Sequence, residues 1–188
     1  MAQGALAEAI SHLDVRFGAR TVTTATAAAD RAGERRFVTG TSLDRLADGI
    51  APGSAVALTG EGSCGKVTLA YRAVAGAQAS GGMALWVDPA RSLDPVSAWR
   101  CGVDLRRLIV VRARTLAEVT LAAGAALRSV GFRLVVVDLG PSFAQVGSAD
   151  QLEPLLANAR GSTSALVIVS DHPPRRISLP VLTSEKAA

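Results

Sequence analysis

The sequence predicts an α/β fold with a mostly parallel central sheet flanked by helices, and three observations carry that expectation. First, an apolar strand from Ser54 to Thr59 breaks at Gly60 into a glycine-rich turn and reopens as a helix near Lys66. Second, short aliphatic runs recur downstream and each meets a polar residue at its end: Met83 to Val87 before Asp88, Leu134 to Asp138, and Ala165 to Ser170. Uninterrupted apolar strands suit a parallel sheet buried on both faces. Third, 49% of the 188 residues are apolar but only 4% are aromatic, which suits one core built from Val, Leu, Ile and Ala.

In chain order, Leu6, Ile10, Leu13 and Phe17 are spaced four, three and four apart, one face of an amphipathic helix ended near Gly18. Residues 21–29 read as a strand followed by a linker, and residues 30–36 as a charged continuation. Residues 1–36 therefore form an N-terminal arm and residues 37–188 the core. The apolar stripe has two outlets, folding back on its own domain or docking on a neighbour. Thr41 or Ser42 is placed to cap a short helix through Leu46, and Ile50 to Gly53 turns the chain into the first core strand. Leu108 to Val111 reads as another strand. A helix over residues 115–130 follows, with Leu116, Val119, Ala123, Leu127 and Val130 on one side, and Ile177 to Leu182 can add a last strand.

The glycine-rich turn carries the most chemistry. In the phosphate-binding pattern G-x-x-x-x-G-K-[S/T], backbone N–H groups cradle phosphates, the lysine reaches the terminal phosphates, and the hydroxyl binds Mg²⁺. Gly60, Gly62, Gly65 and Lys66 are present, but Val67 stands at the hydroxyl position. A valine offers no lone pair to a hard cation. Thr68 is about 100° further around the helix and is expected to point elsewhere.

The formal charge of +4 is carried by scattered arginines, which suits a solvated surface better than a nucleic-acid patch. Cys64 and Cys101 have neither a metal nor a redox spacing, so a reduced, cytoplasmic protein is expected. His12 and His172 read as surface residues. The sequence shows no leader pattern and no long apolar run, so no signal peptide or membrane span is expected.

Several signatures recur in order: Arg16-Phe17-Gly18 closing the first helix, Thr39-Gly40-Thr41-Ser42-Leu43-Asp44, Pro52-Gly53, the loop from Gly60 to Lys66, Ala77-Gln78, Gly81-Gly82, Leu93-Asp94-Pro95-Val96, and Cys101-Gly102-Val103-Asp104-Leu105. Together they resemble the bacterial RecA recombinase family over nearly the whole chain. The resemblance implies a RecA-like P-loop NTPase core with a separate N-terminal helix. It also implies roles that several positions here do not fill. The glutamate that orients the attacking water lies two residues after the acid matched by Asp88, where this chain has Ala90. Losing such a group typically costs about 10²- to 10⁴-fold in rate. Asp138 matches the carboxylate that holds the metal through water. Where the family has a glutamine sensing the γ-phosphate, Asp171 brings a negative charge instead, unfavourable beside phosphate.

The resemblance thus implies vestigial nucleotide-binding positions at Gly60, Gly62, Gly65, Lys66, Thr68 and Asp138, and substituted catalytic positions at Val67, Ala90 and Asp171. No catalytic residue and no metal site are expected, and no cofactor, with ATP as a structural ligand left open. The two loops that hold single-stranded DNA in the family are also poor in charge. Residues 140–152 contain no Lys or Arg and one acid, Asp150, and the second loop offers only Arg175 and Arg176.

Among short, degenerate members of this superfamily the chain resembles ImuA, encoded in damage-induced mutagenesis cassettes. That resemblance implies a non-catalytic adaptor of translesion synthesis, with RecA, ImuB and an error-prone DnaE-type polymerase complex as partners. Leu6, Ile10, Leu13 and Phe17 are then the partner-binding stripe, and the protein is brought to the nucleoid through its partners. Three other readings stay open: a slow or partner-activated ATPase in which Thr68 or a neighbouring acid replaces the missing ligand, a SulA-like inhibitor of cell division, and a DNA-binding module.

Overall fold

Six strands make one sheet in which every paired neighbour runs parallel. They are β1 (Ala55–Thr59), β2 (Met83–Val87), β3 (Leu108–Val111), β4 (Phe132–Asp138), β5 (Ala165–Ser170) and β6 (Val181–Thr183), in the spatial order β3-β2-β4-β5-β1-β6. Among the described residues, the α-helices include α1 (Lys66–Ala79), α2 (Pro95–Arg100), α3 (Leu116–Arg128) and α4 (Ala149–Arg160). This computed structural model describes residues 36–44, 49–140, 149–172 and 181–183. The chain divides into two units between Arg35 and Arg36, and every described residue belongs to the second. The stripe Leu6, Ile10, Leu13 and Phe17, together with His12, Arg175 and Arg176, lies outside the described residues.

Because successive strand side chains point to opposite faces, a sheet covered on both sides needs apolar residues at nearly every position. Ala84, Trp86, Leu134, Val136, Val167 and Val169 face α1, which buries Ala70, Tyr71, Val74 and Ala77 against them. Leu85, Val87, Val135, Val137, Leu166 and Ile168 face the other way, under Leu116, Val119 and Leu127 of α3 and Leu155, Leu156 and Ala159 of α4. The result is the predicted α/β arrangement. Gln78, buried near the end of α1, donates from Nε2 to the Asp104 carbonyl (2.9 Å) and accepts at Oε1 from the Asp104 N–H (2.8 Å). That reciprocal pair fastens the approach to β3 onto α1.

Two expectations are corrected. The helix placed over residues 115–130 ends at Arg128, because Ser129 turns to an extended conformation (φ −85°, ψ 155°), and Val130 is 88% exposed rather than on the buried side. The stretch 140–152, read as a loop, already includes the start of α4 at Ala149. The last strand expected within Ile177 to Leu182 is present as β6, and residues 173–180 lie outside the described residues. Thr41 does act as a cap. Its Oγ1 accepts from the Leu43 N–H (3.2 Å), while the Asp44 carboxylate reaches back to the N–H groups of Thr39, Gly40 and Thr41. Among the described residues, no helix is long and apolar enough to cross a membrane.

Candidate functional site

Parallel strands bring their carboxyl ends to one edge of the sheet, where ligands sit in open α/β folds. Register makes this concrete: Thr59 of β1 lies beside Ser170 of β5, Val169 beside Asp138 of β4, and Val137 beside Val87 of β2. The residues that follow these positions, Gly60 to Gly65, Asp88 and Asp171, are therefore gathered at the same edge as Asp138.

In the loop, Gly62 (φ +61°) and Gly65 (φ +88°) take left-handed conformations that a side chain would strain. Gly65 caps α1 with no side-chain help, and its carbonyl accepts the Leu69 N–H. Lys66 is only 7% exposed. Its Nζ donates to the carbonyls of Gly60 (2.9 Å) and Gly62 (2.8 Å) and lies 2.9 Å from Asp171 Oδ1. An ammonium has three N–H donors, so these contacts engage all of them. Val67 is half-buried and packs against the apolar core on the α1 side, whereas Thr68 is exposed. Ala90 sits against the exit of β4: a Cβ placed on Gly140 would meet the Ala90 Cβ at 2.7 Å. His172 is exposed, as expected, with Nδ1 4.0 Å from Glu61 Oε1. Cys64 and Cys101 are half-buried and are not joined in a disulfide.

The acidic half of the site is held by a residue that sequence reasoning missed. Asp88, fully buried, accepts the Ser92 N–H at Oδ1 (2.8 Å) and the Leu93 N–H at Oδ2 (3.3 Å). The Ser92 hydroxyl lies 2.8 Å from Asp138 Oδ2 and 3.4 Å from Asp88 Oδ1, so its single proton serves Asp138 and spans the gap between the two acids. Nothing in the local pattern marks Ser92, because its role comes from the adjacency of β2 and β4. Asp138 also accepts the Gly140 N–H (3.3 Å).

Burial pushes the Asp138 carboxyl above the ordinary carboxylate range, and the charge of Asp88 adds to this, against the opposing pull of Ser92, Gly140 and Lys66. The folded protein therefore binds this proton more tightly than the unfolded chain. Between the unfolded carboxylate pKa and the raised folded value, stability falls as pH rises. Asp138→Asn removes the charge that burial disfavours. The variant is expected to match the wild type where the Asp138 carboxyl is protonated and to exceed it in denaturant midpoint as pH rises through the raised folded value. Parallel pH profiles for the two proteins would contradict this.

A nucleotide with its divalent cation does not fit these residues as they stand. The position of the cation's hydroxyl ligand is a core-packed valine, and the phosphate-seeking lysine is paired with Asp171. Among the described residues, no group of three or more His, Cys, Asp or Glu side chains gathers to hold a metal ion. The arrangement is an anion cradle whose cation is neutralised from within.

The family model described as the RecA N-terminal domain matches residues 4–168. Protein RecA of Roseiflexus sp. is similar at 33% identity over 137 residues, covering 71% of this chain and 39% of that protein. Protein RecA of Frankia alni is 37% identical over 90 residues, 48% of this chain and 26% of its own length. Protein RecA of Trichodesmium erythraeum is 39% identical over 93 residues, 50% of this chain and 26% of its own. The chain spans well under half the length of these curated relatives.

Proposed function

The chain belongs to the RecA N-terminal domain family, and from that premise we propose that it is a non-catalytic, ImuA-like adaptor in damage-induced mutagenesis and translesion synthesis. It keeps the RecA-type scaffold for contacts with RecA and ImuB, the latter within an error-prone DnaE-type polymerase complex, and restrains the RecA filament without turning over ATP. One observation carries the reading: the positions for the cation ligand and for the water-orienting carboxylate are held by apolar side chains, Val67 packed against the core and Ala90 beside the exit of β4. Missing water orientation alone costs about 10²- to 10⁴-fold, and a missing cation ligand adds to this. Exposed Val96 and Trp99, one turn apart on α2, leave apolar surface available for partner contacts.

The test is titration of the pure protein with Mg²⁺ and ATP, followed by titration with RecA and with ImuB. The expected result is ATP turnover no higher than that of Lys66→Ala, together with saturable binding of RecA. Turnover that disappears in Lys66→Ala would overturn the non-catalytic reading in favour of an ATPase. Binding to the tubulin-like division protein, with none to RecA or ImuB, would redirect it to inhibition of cell division.

A further inference from the structure

We propose that Asp171 is a built-in anion for the phosphate loop: its carboxylate takes the place on Lys66 that a ligand phosphate would take, so the loop is satisfied by the chain and closed to free phosphates. The inference rests on the reading above that the site has left ATP turnover. It adds the device that keeps phosphate out.

The placement of Asp171 follows from the fold. Ser170 pairs with Thr59 across β5 and β1, so the next residue on β5 emerges beside the loop that begins at Gly60. The Ser170 hydroxyl donates to the His172 carbonyl (2.7 Å), which turns the chain tightly around Asp171. The carboxylate lies 2.9 Å from Nζ of a lysine whose other two donors go to Gly60 and Gly62, so one ammonium ties the loop to itself and to β5.

A phosphate entering the loop must displace a carboxylate already in contact with a nearly buried cation. The loop otherwise retains its backbone form, with Gly62 and Gly65 in left-handed conformations and α1 opening at Lys66. Removing the Asp171 charge should therefore restore an anion site rather than merely damage the fold.

The probe is inorganic pyrophosphate without metal, measured by calorimetric titration and by thermal melting of the full chain. Asp171→Asn, which keeps the shape and loses the charge, is expected to melt below the wild type in plain buffer and to recover with pyrophosphate. Its affinity for pyrophosphate should be about tenfold or more tighter than that of the wild type. Adding Lys66→Met to Asp171→Asn should abolish the gain. Asp171→Gln provides a second neutral variant should the asparagine variant fail to fold. Equal pyrophosphate affinity in wild type and neutral variants would overturn the inference, as would a gain that survives Lys66→Met. ATP turnover by the wild type would overturn both proposals, whereas equal pyrophosphate affinities without turnover would overturn this inference alone.

Discussion

Replacing Trp86 with alanine is expected to destabilise the domain by about 3–5 kcal/mol, a large share of the roughly 5–15 kcal/mol that holds a domain folded. Trp86 is fully buried near the carboxyl end of β2, flanked across the sheet by Val110 of β3 and Val136 of β4. Its ring lies 4.9 Å from that of Tyr71, tilted by 35°. Tyr71 in turn accepts the Asp94 N–H at its hydroxyl (3.0 Å), and Asp94 caps α2 through the N–H groups of Val96 and Ser97. The indole thus supports a chain of contacts from the sheet through α1 to the cap of α2, and a cavity there loosens all three. The indole Nε1 has no hydrogen-bond partner among the described residues. Trp86→Phe removes that unpaired buried donor along with some volume, and the two effects oppose each other, so the expected loss is about 1.5 kcal/mol or less. Urea unfolding followed by circular dichroism separates the two variants. Similar losses for phenylalanine and alanine would mean that packing around the ring is not the source of the stability.

The strands could be read directly from the sequence because full burial on both faces removes polar residues from them. Leu134 to Val137 and Ala165 to Val169 are uninterrupted for that reason. The helix α4 was harder to see. Leu152, Leu155, Leu156 and Ala159 have helical spacing and are buried, but Pro154 lies among them and obscures the pattern. The short α2 is marked by Asp94-Pro95, a capping acid followed by a proline at the first helical position, a signal that carries little weight over six residues. At the site, the glycines, Lys66, Val67 and Asp138 are visible as a local pattern or through resemblance. The contact of Lys66 with Asp171 is not, because it depends on β5 lying next to β1 in a given register. Ser92 escapes for the same reason: its hydroxyl matters only because β2 and β4 are neighbours.

Changing Leu13 and Phe17 to glutamate is expected to weaken RecA binding by about 100-fold or more while leaving the melting of the 36–188 unit unchanged. The estimate rests on the energetics of interface anchors, where truncating a buried aromatic or aliphatic group commonly costs about 2 kcal/mol or more. Placing a carboxylate in a desolvated contact adds to that cost. In the sequence, Leu6, Ile10, Leu13 and Phe17 make a stripe on one helical face, far in sequence from Val67 and Ala90, so the proposed docking role can be tested apart from the nucleotide site. The double variant separates docking from internal packing. If the stripe packs within its own chain, the charges lower the melting temperature and leave RecA affinity intact; if it meets RecA, affinity falls and melting holds. Retained affinity with unchanged melting would remove the stripe from both roles and shift the partner surface to the exposed apolar face of α2 at Val96 and Trp99.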